Sequence, residues 1–396
     1  MKILRIVSEL DFGGVEQVVA LSVPALSQKS GVKIKVIVLG KGGRISERLA
    51  QKGFEVLVLN KDTKIPNFQL VYQLKNIFEK EQVDVVHTQG AEANFHGIWA
   101  AKLAGVKTKI GEEIGLPNHH SYWKWIFKWV YKKADHVIAI SESVKNTIIS
   151  LGEVEGEKVK LLYNPVGLGN FGHGDKELGQ RLYKSNNRGL EEVGDNLENM
   201  EVLGFTQDDG LKPEKDSLKP FVFVTTCRLV PIKNLDRLIQ SFAKVKQINP
   251  NKEFELWLIG EGPEKENLNK LSNRLELGSL VRFFGFREDV SGFLREADVF
   301  ILPSLSEGSS VSLAEAMMAG LPAIVTEVGG AKEILGESNS GILVNPYNED
   351  SIFSAMQFMV DLSEEERIKM GRSAKKESER FSVEGYVASL MEVYRG

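Results

Sequence analysis

The chain has a single cysteine, Cys227, among 396 residues, which excludes intrachain disulfides and cysteine-ligated metal sites. It has no run of about 18 apolar residues, the least a membrane-crossing helix needs. Its start, "MKILRIVSEL", reads as a strand and a loop without a signal-peptide cleavage site. The expected location is therefore cytoplasmic. Neither charge sign is in large surplus: a formal net charge of −4 argues against a surface coated with nucleic acid while leaving local patches open.

What is present is the composition of a folded globular protein, 42% hydrophobic and 26% charged, in a chain long enough for two cores. Short apolar runs alternate with amphipathic stretches, the pattern of βα units in a parallel sheet. Strands are expected at "KILRIVS", "KIKVIVL", "FEVLVL", "DVVHT", "TKIGE", "HVIAIS" and "VKLLY". The pattern fails from about residue 171 to 219, which is polar and rich in Gly, Asp and Lys. It resumes with "FVFVTTCRLV", "ELWLIG", "VRFFGF", "DVFILPS", "PAIVTEV" and "GILVN". Leu235, Leu238, Ile239 and Phe242 lie at helical spacing between two of these runs. The expected fold class is α/β, with two Rossmann-like doubly wound domains facing a cleft: residues 1–170, a polar connector 171–219, residues 220–380, and a closing helix 381–396. Ligands of such sheets bind beyond the carboxyl ends of the strands.

The loops at those ends carry the candidate chemistry. Gly13 and Gly14 follow the first strand and open a helix, so backbone amides there can approach an anionic or sugar ligand; a simple tight turn is the competing reading. In "LIGEGPEK", Gly260 and Gly262 follow a strand, but Lys265 stands at the third glycine position of a dinucleotide fingerprint. That loop is left as a lining for a base pocket. In "CRLVPIKN", Arg228 and Lys233 place two cations beyond a strand, where a planar fork and a movable point charge can neutralise a diphosphate.

The stretch "SLSEGSSVSLAEA" holds Glu307 and Glu315. An acid pair raises the idea of a glycosidase, whose carboxyl groups sit about 5–5.5 Å or about 6.5–9.5 Å apart. On one helix these two would be roughly 12 Å apart. Glu307 is instead placed in a loop and Glu315 about two turns inside the following helix, whose first amides favour negative charge. A carboxylate there can accept both hydroxyls of a ribose, and Glu307 can hold the hydroxyls of a second group. The pair reads as two clamps flanking a diphosphate.

The ordered set Gly13-Gly14, "CRLVPIKN", "LIGEGP", "DVFILPSLSEGSSVSLAEAMMAGLPAIVTEVGGAKEIL" and "GILVNP" resembles family 4 of the retaining glycosyltransferases, of the two-Rossmann-domain GT-B architecture. The resemblance implies an acceptor held mostly by the first domain and a nucleotide-sugar donor held mostly by the second. It gives Arg228 and Lys233 the departing diphosphate, Glu307 the transferred sugar and Glu315 the ribose, with Gly14, Gly262, Gly308 and the amides of Ser309, Ser310 and Val311 around the donor. A UDP-sugar is expected in preference to a GDP-sugar, with no separate cofactor. No Asp-x-Asp occurs in the chain, so metal-independent catalysis is expected. Family members commonly carry a histidine after the strand matching "KTKIG"; here Glu112 and Glu113 stand there, followed by His119 and His120. Gly13, His87, Glu113, His119 and His120 are therefore the candidates for acceptor contact or catalysis. "YNPVG" around Asn164 replaces the family's usual Asn-Gly turn.

In "SYWKWIFKWVYKKADH", Lys124, Lys128 and Lys132 form one stripe beside Trp123, Trp125 and Trp129. Such a helix can lie in a lipid headgroup layer or simply pack its apolar side into the domain. The expected activity is sugar transfer to a glycan or lipid-linked acceptor in envelope, lipopolysaccharide or exopolysaccharide synthesis, at the inner face of an anionic membrane. The alternatives are a nucleotide-sugar epimerase of similar architecture and a non-catalytic nucleotide-sugar-binding subunit.

Overall fold

The computed structural model describes residues 1–396 apart from 12, 118–121, 168–218 and 288. The connector read over 171–219, Lys219 excepted, and both His119 and His120 lie outside the described residues.

Each segment read as a strand forms one. The first sheet contains β1 (Lys2–Val7), β2 (Lys33–Val38), β3 (Glu55–Val58), β4 (Val85–Gln89), β5 (Thr108–Glu113), β6 (His136–Ala139) and β7 (Val159–Leu161), in the spatial order 3-2-1-4-5-6-7. The second contains β8 (Phe221–Thr226), β9 (Phe254–Ile259), β10 (Val281–Gly285), β11 (Val299–Leu302), β12 (Ala323–Thr326) and β13 (Gly341–Val344), in the order 10-9-8-11-12-13. All pairings between these strands are parallel. Strands such as β8, buried at every residue, are covered on both faces, so they read as unbroken apolar runs.

The helices of the first sheet are α1 (Gly14–Ser27), α2 (Arg44–Gln51), α3 (Phe68–Glu81), α4 (Ala91–Leu103), α5 (Trp123–Tyr131) and α6 (Glu142–Ser150). Those of the second are α7 (Leu235–Ile248), α8 (Lys265–Arg274), α9 (Ser291–Glu296), α10 (Val311–Met318), α11 (Ala331–Leu335), α12 (Glu349–Asp361) and α13 (Glu364–Ser378). Leu235, Leu238, Ile239 and Phe242 of α7 are buried against β8 and β9, as their spacing requires.

The last helix, α14 (Val383–Arg395), follows the second sheet in sequence but packs on the first. Its apolar residues Tyr386, Val387, Leu390, Met391 and Tyr394 recur one turn apart and join Ile3, Val18, Val85 and Ile110 in one core. At about 1.5–3 kcal/mol for each fully buried large side chain, this face is ample to hold the helix there.

Beneath α14 lies a buried polar cluster. Arg5 is fully buried and donates to Ser22 Oγ and Gln89 Oε1, each at 3.2 Å. Its Nη2 is 3.8 Å from the buried Glu112 carboxylate. Gln89 Nε2 donates to Glu112 at 2.9 Å, and His87 Nε2 sits 2.9 Å from it. His87 Nδ1 is 2.8 Å from the Tyr394 hydroxyl. Burial, followed by the charge of Arg5, lowers the His87 pKa to about 4, so the imidazole is neutral at physiological pH. Burial opposes ionisation of Glu112, but His87 and Arg5 together hold its pKa below the usual carboxylate range.

Removing one member of such a cluster strands the others without compensation. Arg5→Ala is expected to lower the unfolding free energy by about 3 kcal/mol, read as a shifted urea midpoint, whereas Ile34→Val at the half-buried edge of the same core costs no more than about 1 kcal/mol.

Candidate active site

Both sheets reverse their winding beside their first strand, between β1 and β4 and between β8 and β11. At such a reversal, adjacent loops leave on opposite faces and open a crevice at the carboxyl edge. The loops after β1, β8 and β11 meet there, and the resulting cleft of about 380 Å³ is of a size that suits a small organic ligand.

The β8 and β11 loops are tied together by backbone. Asn234, at φ 56°, donates from its side chain to Pro303 O at 3.1 Å, and Leu305 N donates to Ile232 O at 2.8 Å. This brings Lys233 onto the Glu307 carboxylate, which also accepts from Ser304 Oγ at 2.7 Å. Gly329, at φ +54°, is a glycine because a Cβ there would stand 1.6 Å from Glu307 O. Arg228 lies in the same cleft, exposed.

Helix α10 begins at Val311. Ser310 caps it, accepting from Leu313 N at 3.2 Å, and Ser309, Ser310 and Val311 line the cleft. The start of α1 faces it: a Cβ at Gly14 would meet the Val311 side chain at 3.4 Å. Two helix N-termini thus converge on one space, and both favour an anion there. Gly13 also lines it.

Glu315 lines the cleft from inside α10, and burial, with Asp289 next in effect, pushes its pKa up to about 7. A carboxylate held that high has little to stabilise its charge in the free protein. It is set to accept hydroxyl donors from a ligand.

Other candidates sit elsewhere. His87 is buried beneath α14, so it does not contact an acceptor. Glu113 is buried and accepts from the Tyr131 hydroxyl; strand alternation turns its neighbour Ile114 to the cleft in its place. Gly262 packs on the β8 loop, where a Cβ would come within 2.2 Å of Leu229 O, while Gly260 and Glu261 line the cleft. Gly308 contacts the first domain, a Cβ there lying 2.8 Å from Gly115 Cα. On α5, Trp125 and Trp129 are exposed together with Lys124, Lys128 and Lys132, but Trp123 packs into the domain core and leaves that face. Phe127, Val130 and Tyr131 form its buried side.

The sequence reading missed Arg44 and Arg48 of α2, which line the cleft from the first domain; Arg44 is 4.9 Å from the centre of the Phe286 ring, across the cleft. Nothing in a short, strongly amphipathic helix marks its two arginines as cleft residues. It also missed Phe68 and Tyr72 on α3, both exposed; their one-turn spacing was the available signal.

A model described as Glycosyltransferase Family 4 matches residues 12–169, and one described as Glycosyl transferases group 1 matches residues 208–377. Together they take in most of the chain, which belongs to family 4 of the glycosyltransferases, built on the GT-B architecture. Among its relatives is an Escherichia coli UDP-Gal:alpha-D-GlcNAc-diphosphoundecaprenol alpha-1,3-galactosyltransferase, 24% identical over 75% of this chain and 71% of that protein. A Campylobacter jejuni N-acetylgalactosaminyltransferase, named for an N-acetylgalactosamine-N,N'-diacetylbacillosaminyl-diphospho-undecaprenol acceptor, is 23% identical over 89% of this chain and 88% of that protein. The Anabaena HepE structure in complex with UDP-glucose superposes with a TM-score of 0.76 at 21% identity, covering 99% of this chain and 98% of that one. A glycosyltransferase from Rickettsia africae gives a TM-score of 0.78 at 18% identity over 100% and 97% of the two chains.

The raised Glu315 pKa has a measurable sign. The folded state holds the proton up to about pH 7 and the unfolded chain only to about pH 4.3, so stability falls as pH rises through that window. The open cleft screens the effect to about 1–2 kcal/mol. Urea titrations at pH 5 and pH 8 are expected to show that loss, and Glu315→Gln to flatten it.

Proposed function

We propose that the chain is a retaining, metal-independent glycosyltransferase that moves a sugar from a UDP-sugar to a lipid-linked glycan acceptor at an anionic membrane surface. The observation that carries this reading is the convergence of Arg228, Lys233 and two helix N-termini on one cleft, with Glu307 and Glu315 at its edges. The HepE complexes with UDP and UDP-glucose support a uridine nucleotide. The diphosphoundecaprenol acceptors in the names of two relatives support a lipid-linked acceptor and a place in envelope polysaccharide synthesis.

The chemistry follows from where charge develops. As the bond from the sugar carbon to the diphosphate breaks, the sugar gains positive charge and the diphosphate gains negative charge. Arg228, Lys233 and the first amides of α10 are placed to meet the second. Donors preorganised for such a charge each contribute about 2.7–4 kcal/mol to lowering the barrier. These cations supply the neutralisation that a metal ion supplies elsewhere, which supports metal independence. Lys233 is paired with Glu307 in the free protein, so its charge is already desolvated and oriented before the donor arrives. Glu307, committed to Lys233 and Ser304, is a clamp for sugar hydroxyls, and Glu315 for the ribose.

Among the described residues no helix is long and apolar enough to cross a membrane. Surface docking is carried by α5, where Trp125 and Trp129 are exposed and Lys124 and Lys128 lie 5.6 and 5.7 Å from the Trp125 ring centre. Phe68 and Tyr72 of α3, a helix that packs on α4 as α5 does, are further exposed aromatic residues.

Lys233→Ala is expected to lower kcat about 100-fold or more with an undiminished rate in EDTA for the unmodified enzyme, and NMR of the product should show the donor's anomeric configuration. Donor turnover without any acceptor, or a Lys233→Ala enzyme of full activity, defeats the reading. Neutralising Lys124, Lys128 and Lys132 together should weaken co-sedimentation with phosphatidylglycerol vesicles about 100-fold, at about 1 kcal/mol for each cation. Unchanged sedimentation removes the membrane part.

A further inference from the structure

The contact between the two domains beside the cleft includes backbone groups, the Ser141 hydroxyl and the Glu333 carboxylate. Ser141 caps α6, its Oγ accepting from Val144 N at 3.1 Å. The two remaining donors of that first turn, Glu142 N and Ser143 N, point at the other domain, where Glu333 of α11 accepts both, at 2.7 and 3.0 Å. A helix start normally leaves these amides to water or a local side chain; here a carboxylate some 190 residues distant in sequence takes them. Its charge also suits the positive end of α6.

The same junction touches the donor loop. Ser141 Oγ donates to Gly308 O at 3.0 Å, and Gly330 N, at the start of α11, donates to the same oxygen at 3.2 Å. The links form a closed circuit: Gly308 to Ser141, along the start of α6 to Glu333, back along α11 to Gly330, and on to Gly308. Gly308 and Gly330 are small for steric reasons, because a Cβ at Gly308 would stand 2.8 Å from Gly115 Cα and one at Gly330 would stand 3.1 Å from Ser141 Cβ. Arg380 fixes the far end of α11, donating to Glu333 O and, at 2.8 Å, to Ile334 O.

We propose that Glu333 is a positioning residue that latches the two domains together and, through Ser141 and Gly308, holds the Glu307–Val311 loop in register with the cleft. Gly308 lies between Glu307, the sugar clamp, and the amides of Ser309 to Val311. An open cleft breaks the Ser141 tie, leaves Gly308 O only the Gly330 amide of its own domain, and so loosens the loop's orientation toward the first domain. The inference rests on the glycosyltransferase reading only for its effect on rate; the closure itself does not.

The test measures closure and catalysis separately on the full chain. Solution X-ray scattering with and without UDP reports the domain arrangement, calorimetry reports UDP binding, and initial rates separate kcat from KM. Glu333→Ala is expected to expand the molecule, to lower kcat at least tenfold, and to change UDP affinity no more than about threefold, because the side chains proposed to hold the nucleotide, Arg228, Lys233 and Glu315, all belong to the second domain. Glu333→Gln keeps an acceptor oxygen and should recover part of the rate. A wild-type scattering profile for Glu333→Ala overturns the latch whatever the activity. A wild-type protein that binds no UDP and transfers no sugar overturns the functional reading and leaves the scattering test standing. If Glu333→Ala does not fold, Ser141→Ala carries the same expectations through the Gly308 contact, and its wild-type kcat and profile would equally overturn the proposal.

Discussion

Each parallel sheet winds outward in both directions from its first strand, and that reversal is the constraint on which the site depends. It occurs at β1 beside β4 and at β8 beside β11, so the loops after these strands part and leave room at the carboxyl edge. Three charged residues of the site are on those loops for this reason. Arg228 and Lys233 follow β8, and Glu307 follows β11. Gly13 and Gly14 follow β1 in the facing domain.

Charge in the cleft is balanced without being quenched. Lys233 and Glu307 neutralise one another, Arg228 stays exposed, and two helix starts add partial positive charge. Glu315 is half-buried with no matching cation among the described residues, and its pKa rises accordingly. The free protein therefore carries a cost for ionising this residue. A second polar cluster, around Arg5, Glu112 and His87, is paired internally through ion pairs and hydrogen bonds and sits against α14. One cluster awaits a ligand, and the other fastens the closing helix to the first domain.

The two domains meet through small surfaces with high directional content. Gly308 comes close to the Gly115 backbone, and Gly330 and Gly14 close to the side chains of Ser141 and Val311, while Glu333 supplies the charged hydrogen bonds. Contacts of this kind make and break with little loss of apolar area, which suits a cleft that must admit and release ligands.

How much was legible in advance divides along a physical line. The strands, the helix at α7 and the placement of Arg228, Lys233 and Glu307 at carboxyl-end loops, with Glu315 in the helix that follows, came from local periodicity and from residue type next to a strand. The misplaced residues share a cause. His87 and Glu113 lie on strands near the carboxyl edge, as site residues do, and only the arrival of α14 over one and Tyr131 beside the other shows them to be buried. Gly262 was a glycine for Leu229 and not for a ligand, and Trp123 turned inward on a helix whose other tryptophans face out. Arg44, Phe286 and Glu333 could be noticed only once the domains faced each other, because each finds its partner across the cleft. The amino-acid sequence by itself determined the two sheets and the chemistry at their edges, since both depend on neighbours a few residues apart. Which of those groups meet a ligand, which are sealed in, and what holds the halves together was decided by the tertiary structure, because burial and long-range pairing belong to no local segment.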